Sequence, residues 1–276
     1  MRGEGRHKIM NRKAISVKNN RNIVLDNSFT KDLLIDGQGS FAIQVKEGVQ
    51  TNLLILNVNN EDELHFDVLD NANLHVAVLA KNPANSIKIT ANVGQNGMFN
   101  AYLADFIPDN CKGDISVNLL GDNATFEWHL ASLSQKADKK EFDVSVFHKS
   151  PRTFAQMDSY GVVRDDAKLT FSGICQIEKG SSGSKAHQNA KIMVFDALSN
   201  GVAKPILKID ENDIEASHAA VVGKINDEHI FYLTSRGLSE DEAKRIITLG
   251  YLKPILKGFN DDEMKETIEK MIEGNM

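Results

Sequence analysis

Residues 70–78 read Asp-Asn-Ala-Asn-Leu-His-Val-Ala-Val, so a turn-forming phrase leads directly into alternating apolar and polar side chains. Asparagine and aspartate tolerate tight and left-handed backbone, and alternation with period two indicates a strand with one buried face. The same alternation occurs at residues 64–68, 115–119, 142–146 and 169–171. The sequence therefore predicts many short strands joined by tight turns between about residues 22 and 226.

The turn phrase itself recurs, which indicates a repeating unit. Residues 122–126 (DNATF) and 165–169 (DDAKL) resemble residues 70–74 (DNANL), and residues 95–99 (QNGMF) are a looser copy. The last residues of these copies lie 25, 27 and 43 positions apart in chain order, close to one, one and two units of about 21–27 residues. Such units, without helical patterns between them, predict a parallel β-helix. A β-sandwich, whose turns also recur regularly, stays open as the alternative.

The pattern becomes helical after about residue 226. Residues 239–242 (SEDE) form a capping box, in which a serine and a glutamate satisfy the first amides of a helix. A second helix is predicted from about residue 260. The two apolar stripes consist of Ala243, Ile246, Ile247 and Leu249, and of Met264, Ile268, Met271 and Ile272. We therefore predict a β-helix core at 22–226 and a small helical subdomain at 227–276, packed on the solenoid end or on another chain.

Composition excludes several classes of protein. The chain has 276 residues, 32 basic and 38 acidic, with a net charge of -6, which argues against nucleic acid or an anionic membrane as a partner. No apolar run approaches the roughly 18 residues of a membrane span. Residues 1–21 are basic and no apolar stretch follows them, so we interpret them as a flexible basic N-terminus and not as a signal peptide. We expect a cytoplasmic protein.

Local motifs for catalysis are weak. Residues 180–185 (GSSGSK) lack the spacing of a phosphate loop, so the chain has no predicted ATP site of its own, and we interpret them as a turn. The eight histidines form no local metal motif. The acidic segment 210–215 is interpreted as a solvated turn, with a calcium site or a glycan-cleaving pair of carboxylates as the alternative.

The two cysteines are too few for a disulfide framework or a cysteine-only metal cage within one chain. Cys175 alternates with Phe171, Gly173 and Ile177, which predicts a buried core thiol. Cys111 follows a proline and an asparagine, and we expect it to be exposed in a turn.

The C-terminal third resembles the SufB/SufD family of iron–sulfur cluster assembly proteins. Residues 217–223 (SHAAVVG) are similar to the family segment S-H-G-A-T-V-G. Residues 230–243 (IFYLTSRGLSEDEA) are similar to [LI]-F-Y-L-x-S-R-G-[IL]-x-E-x-x-A, and residues 173–190 also resemble the family. The clear similarity covers about the last 105 residues, and upstream only the solenoid character agrees.

The resemblance implies a right-handed parallel β-helix followed by C-terminal helices. In this family SufB and SufD pair through their β-helices, their C-terminal helices bind the ATPase SufC, and a nascent cluster is assembled at the interface. The implied ATPase-docking segment is about residues 229–272 of this chain. Within it we predict partner-binding roles for Phe231, Tyr232, Arg236, Gly237, Ser239, Glu242, Ile246 and Leu249.

Departures from the family pattern point to a SufD-like short form. Where SufB has a glutamine and its scaffold cysteine, this chain has Gln188 and Asn189, and asparagine supplies no thiolate for a cluster. The cysteine that often precedes the Ser-His pair in SufD is Ala216 here. His218 keeps its place and is therefore the candidate cluster ligand. The long N-terminal helical region of many SufD proteins is not found in this sequence.

We therefore predict a scaffold subunit without catalytic activity of its own, on which an iron–sulfur cluster is bound transiently at a subunit interface. Its predicted partners are a SufC-type ATPase and either a SufB-like paralogue or a second copy of itself. Two alternatives remain: a β-helix enzyme acting on carbohydrate, and a structural adaptor without a metal role.

Overall fold

A computed structural model describes residues 14–16, 21–28, 33–36, 39–56, 63–80 and 86–274. The predicted flexible segment 1–21 lies outside the described residues except for Ala14–Ser16 and Arg21, which already belong to strands. None of the helices in this described part is both long enough and apolar enough to cross a membrane.

The described strands form two parallel sheets, one of nine strands and one of eight, and consecutive strands alternate between them. The nine-stranded sheet contains β1 (Ala14–Ser16), β3 (Leu33–Asp36), β5 (Gln50–Leu56), β7 (Asn73–Leu79), β9 (Met98–Asp105), β11 (Thr125–Ser134), β13 (Phe154–Val163), β15 (Ser184–Val194) and β17 (Ile214–Lys224). The eight-stranded sheet contains β2 (Arg21–Leu25), β4 (Phe41–Val45), β6 (Glu63–Val68), β8 (Ser86–Val93), β10 (Cys111–Leu119), β12 (Lys139–His148), β14 (Lys168–Ile177) and β16 (Asn200–Ile209). This confirms the predicted parallel β-solenoid and excludes the sandwich.

Each coil is one strand of each sheet, and the coils lengthen along the chain. Leu34 is the partner of Ala14, whereas Lys185 is the partner of Phe154, 31 positions earlier. The gaps of 25 and 27 residues in the turn phrase are each one coil. The interpretation of the 43-residue gap as two coils is wrong, because residue 126 lies in β11 and residue 169 lies in β14 of the other sheet.

The recurring five-residue phrase forms a tight turn because its asparagine adopts a left-handed backbone conformation. Asn71, Asn96 and Asn123 have φ of 57°, 52° and 59°, a region that asparagine tolerates better than most residues. Their side chains form a ladder, in which Asn96 Nδ2 donates to Asn71 Oδ1 at 3.0 Å and Asn123 Nδ2 donates to Asn96 Oδ1 at 2.9 Å. In the copy at residues 165–169 the left-handed residue is instead Asp165, one position earlier in its turn.

The core between the sheets consists of inward-facing side chains stacked coil on coil. Phe66, Phe99 and Phe126 form one such stack, with ring centroids 5.2 and 5.5 Å apart, and Trp128 is fully buried beside them. Burial of such large apolar side chains is the main favourable term in folding. The core therefore fixes each coil against its neighbours.

The C-terminal helices are α1 (Asp227–Ser235), α2 (Glu240–Leu252), a 3-10 helix (Lys253–Gly258) and α3 (Asp262–Gly274). Helix α2, the 3-10 helix and α3 pack across the outer face of the nine-stranded sheet, whereas the predicted locations were the solenoid end or another chain. A second group of buried apolar side chains, the outer-face cluster, lies between the sheet and these helices. It joins side chains of β5, β7, β9 and β11 to Leu252, Ile255, Phe259, Ile268 and Ile272. His75 Nε2 donates to the Gly258 carbonyl at 2.7 Å and fastens the 3-10 helix to β7.

His148 makes stability depend on pH. Its side chain is fully buried, its Nδ1 lies 2.7 Å from Thr153 Oγ1, and burial lowers its pKa from 6.5 to about 4. The unfolded chain therefore binds a proton first as the pH falls. We expect the free energy of unfolding to drop by roughly 2 kcal/mol from this group between pH 7 and pH 5.

Urea unfolding of the wild type and of His148→Gln at both pH values measures this effect. The variant is expected to lose most of the pH slope. An unchanged slope in the variant would assign the pH dependence to other groups.

Candidate functional site

The solenoid ends in two uncovered edge strands, β16 and β17, which carry exposed apolar side chains. Leu198, in the turn before β16, is 72% exposed, and Val221 of β17 is 54% exposed, with Val222, Ile206 and Ile209 also exposed. Exposed apolar groups beside an unpaired strand edge are typical of a surface that meets another protein. We refer to these five residues, with β16 and β17, as the open end.

The two edges of the open end are not equivalent. β16 contains Pro205, which has no amide hydrogen to donate, and the lysines Lys204 and Lys208 flank it. Proline and lysine are residues that protect a strand edge from further pairing. β17 runs for 11 residues without proline. The edge of β17 is therefore the better suited to accept another strand.

His218 is the last member of an inward-facing column of the nine-stranded sheet. The pairing register places Trp128, Met157, Gln188 and His218 on successive strands, directly above one another. The first three are buried, whereas His218 is exposed, since no further coil covers it. His218, the candidate ligand, therefore lies where the apolar core meets solvent at the open end.

In the described residues no group of three or more His, Cys, Asp or Glu side chains is arranged to hold a metal ion. Asn189 lies on the outer face, where its Nδ2 donates to Asp158 Oδ1 at 2.9 Å. Ala216 faces the core. His218 therefore belongs to no such group within the described part of the chain.

Neither cysteine is available at the surface. Cys175 is fully buried, as predicted, and burial raises the pKa of its thiol to about 12. The expectation that Cys111 is exposed is wrong, because it begins β10, opposite Lys140, and its side chain turns into the core. Burial, with Asp105 nearby, raises the pKa of the Cys111 thiol well above its ordinary value. Both thiols are protonated at neutral pH and poor cluster ligands.

Helix α1 presents the predicted docking residues to solvent. Asn226 caps it by accepting a hydrogen bond from the Glu228 amide, and none of its residues is buried. Phe231 is 74% exposed and Tyr232 is 56% exposed, and the Arg236 guanidinium lies 5.2 Å from the centre of the Tyr232 ring. All three side chains are therefore exposed, and Tyr232 and Arg236 contact each other.

The other predicted docking residues lie where α1 passes into α2. Gly237 ends α1 with φ of +97°, which favours glycine. The Ser239 amide donates to Glu242 Oε2 at 2.8 Å, and Ser239 Oγ accepts from the Glu242 amide, so both residues form the predicted capping box. The hydrogen bonds that the Ser239 amide and hydroxyl donate to this carboxylate also lower the pKa of Glu242. Ile246 is exposed, whereas Leu249 packs against the outer-face cluster.

The acidic segment 210–215 ties adjacent coils together. Glu211 Oε2 accepts from the Gly180 amide at 2.9 Å, Asp213 Oδ2 accepts from Ser182 Oγ at 2.7 Å, and Lys185 lies 2.8 Å from a carboxylate oxygen of Glu215. These side chains are exposed and satisfied by the neighbouring turn, as the interpretation of a solvated turn predicts.

The apolar character of the open end was missed from the sequence. Its signal was present in Val221 and Val222, because two consecutive apolar residues in a strand leave one of them on each face. In the last strand of the solenoid no further described strand pairs along the outer edge, so both valines stay partly exposed.

Comparison with known proteins agrees with this architecture. Residues 19–251 match the family model described as SUF system FeS cluster assembly, SufBD core domain, which extends well upstream of the segments that carry the resemblance. The iron-sulfur cluster assembly protein SufD of Bacillus subtilis is 30% identical over 158 residues, which are 57% of this chain and 36% of that protein.

Two further relatives carry the family name. An iron-sulfur cluster assembly SufBD family protein of Mycobacterium tuberculosis (strain ATCC 25618 / H37Rv) is 28% identical over 162 residues, 58% of this chain and 19% of the relative. One of Staphylococcus saprophyticus is 26% identical over 161 residues, 57% and 35% of the two chains. The match thus spans about a third or less of each relative. Since the family model covers most of the chain, this protein belongs to the SufBD core-domain family of the SUF system for iron–sulfur cluster assembly.

Proposed function

We propose that this chain is a non-catalytic scaffold subunit on which a second protein completes a cluster-binding site at the open end. The observation that supports this most is the position of His218, which is the last residue of an inward column and is exposed at the open end. An iron–sulfur cluster is the cargo of this site and not a permanent cofactor. Two buried thiols suit a reducing compartment, which favours the cytoplasm.

The partner at the open end is a SufB-like paralogue or a second copy of this chain. It adds a strand to the β17 edge and covers Val221 and Val222, because an unpaired edge with exposed apolar groups is completed by strand addition. Replacing both valines with lysine places two charges on this edge. We expect association to weaken about tenfold or more, measured by sedimentation velocity across a concentration series.

Val24→Lys is the matched control, since Val24 is 53% exposed and lies on β2, the edge strand at the opposite end of the solenoid. It should leave association unchanged. Equal weakening by both variants would remove the β17 edge from the interface.

His218 supplies a ligand to the cargo cluster. His218→Ala is expected to lower the iron and acid-labile sulfide bound to the anaerobically reconstituted complex severalfold without changing its solubility, because an exposed side chain contributes little to the core. His187→Ala is the control, because His187 lies on the neighbouring strand with its Nδ1 2.8 Å from Ser217 Oγ. Retention of wild-type iron and sulfide by His218→Ala would favour an adaptor without a metal role.

Helix α1 docks a SufC-type ATPase through Phe231, Tyr232 and Arg236. Aromatic and arginine side chains dominate the energetics of protein interfaces, and the fork of an arginine suits a carboxylate on the partner. Gly237, Ser239 and Glu242 set the angle between α1 and α2, and Ile246 and Leu249 extend the proposed surface along α2. The chain itself hydrolyses nothing in this proposal; the ATPase supplies the energy.

A further inference from the structure

A small cavity, partly open to solvent, lies between the two sheets close to the open end. Its free volume of about 20 Å³ is enough for one water molecule. It arises because the core side chains become smaller and more polar in the last coils. Its lining includes Met157, Ser159, Phe171, Gly173, Gln188 and Pro205.

Gln188 extends its carboxamide into this cavity. Its side chain is 4% exposed, and Nε2 donates to the Ile206 carbonyl at 3.0 Å, which links β15 to β16 across the core. This bond fixes the orientation of the amide, because the reversed orientation would bring two oxygens together. The other end, Oε1, is buried and accepts no hydrogen bond from any of the described residues.

Gly173 makes room for this oxygen. A Cβ at position 173 would lie 2.6 Å from Gln188 Oε1 and 3.3 Å from Met157 Cε, so a larger residue would fill the space beside the carboxamide. A buried carbonyl oxygen without a partner loses its hydrogen bonds to water and gains none in return, which makes an unfilled arrangement unfavourable.

The chemistry of the lining restricts the occupant. An amide oxygen accepts hydrogen bonds, so the occupant must be a donor. None of the described residues that line the cavity is charged, and several are apolar, so a desolvated ion is excluded on energetic grounds. The volume admits a single heavy atom. Ser159 also lines this space, and a serine hydroxyl is able to donate or accept a second hydrogen bond there.

We propose that this cavity is a binding site for one small neutral hydrogen-bond donor, and that a water molecule bound to Gln188 Oε1 occupies it. With this water the carboxamide is satisfied at both ends and acts as a strut between the two sheets, one strand below His218. The strut holds β16 and β15 at a fixed separation at the open end. The relevance of this fixed separation to a partner at the open end rests on the proposed function, whereas the water-binding site itself does not.

A crystal structure of the full chain at about 1.5 Å resolution tests the proposal without any partner. We expect one ordered peak at about 2.8 Å from Gln188 Oε1. A second structure, of Gln188→Met, should lose this peak while Ser159 stays in place. A direct bond from Oε1 to a protein donor, or a cavity without ordered density in the wild type, would overturn the proposal. Neither result would affect the proposed roles of His218 or α1.

Discussion

Replacing Lys140 with methionine is expected to lower the free energy of unfolding by about 3–5 kcal/mol, because it leaves Asp105 charged and unpaired in the interior. Lys140 Nζ donates to Asp105 Oδ2 at 2.8 Å and to the carbonyls of Ile107 and Leu133 at 2.8 and 2.9 Å. Both ion-pair side chains are almost completely buried. All three hydrogen bonds of the ammonium are thus satisfied, and methionine replaces none of them.

Urea unfolding of the two proteins measures this loss. Lys139→Met is the matched control, because Lys139 is the exposed neighbour on the same strand, and its change should stay within about 0.5 kcal/mol. The double variant Lys140→Met with Asp105→Leu should recover part of the loss, since it removes the uncompensated charge as well. A cost below about 1 kcal/mol for Lys140→Met would contradict the importance of this buried ion pair for stability.

The double variant Phe231→Ala with Tyr232→Ala is expected to weaken binding of a SufC-type ATPase about 100-fold or more while leaving thermal stability unchanged. Aromatic side chains at the centre of an interface often contribute 2 kcal/mol or more each, whereas both rings are largely exposed in the free chain. Isothermal titration calorimetry with the ATPase measures the affinity, and thermal unfolding measures the stability.

Phe259→Ala, in the same helical subdomain, is expected to have the opposite effects: it should lower stability and leave the affinity for the ATPase unchanged. Phe259 is buried against the outer face of the nine-stranded sheet, so its truncation should cost about 3–5 kcal/mol of stability. At temperatures where this variant remains folded, its affinity for the ATPase should be that of the wild type. Unchanged affinity in the Phe231 and Tyr232 variant would assign the docking site elsewhere.

The local structure was predictable because its causes are local. Asparagine at the left-handed position of a turn, alternating apolar residues, and a capping box at Ser239 each act within a few residues. The repeat length inferred from the turn phrase is wrong only for the copy at residues 165–169. That copy forms a different turn, which leads into a strand of the other sheet. Five letters cannot distinguish two turn geometries that both accept aspartate.

The position of the helical subdomain depends on contacts between distant parts of the chain. A signal was nevertheless present: residues 53–56 are Leu-Leu-Ile-Leu, and residues 76–79 are Val-Ala-Val-Leu. Consecutive apolar residues in a strand indicate that both faces are covered. The outer-face cluster beneath α2 and α3 contains the outward members of these runs, including Leu54, Leu56, Ala77 and Leu79.

The candidate site was predictable only in part. The resemblance singled out His218, but its place at the end of an inward column follows from the register of β13, β15 and β17. The burial of Cys111 likewise depends on where β10 begins. The alternation of apolar and polar residues predicts which side chains share a face of a strand. Whether an inward side chain is buried depends also on whether another coil stacks on its strand.

Hydrogen exchange of the chain, alone and in complex with its β-helix partner and a SufC-type ATPase, tests the central claim most directly. We predict that amide exchange slows about tenfold or more in Ile214–Lys224 and in Asp227–Ser235, because both segments become covered, while the β2 edge at Arg21–Leu25 exchanges as before. A complex in which Ile214–Lys224 exchanges as fast as in the free chain would contradict the account, since the open end would then meet no partner.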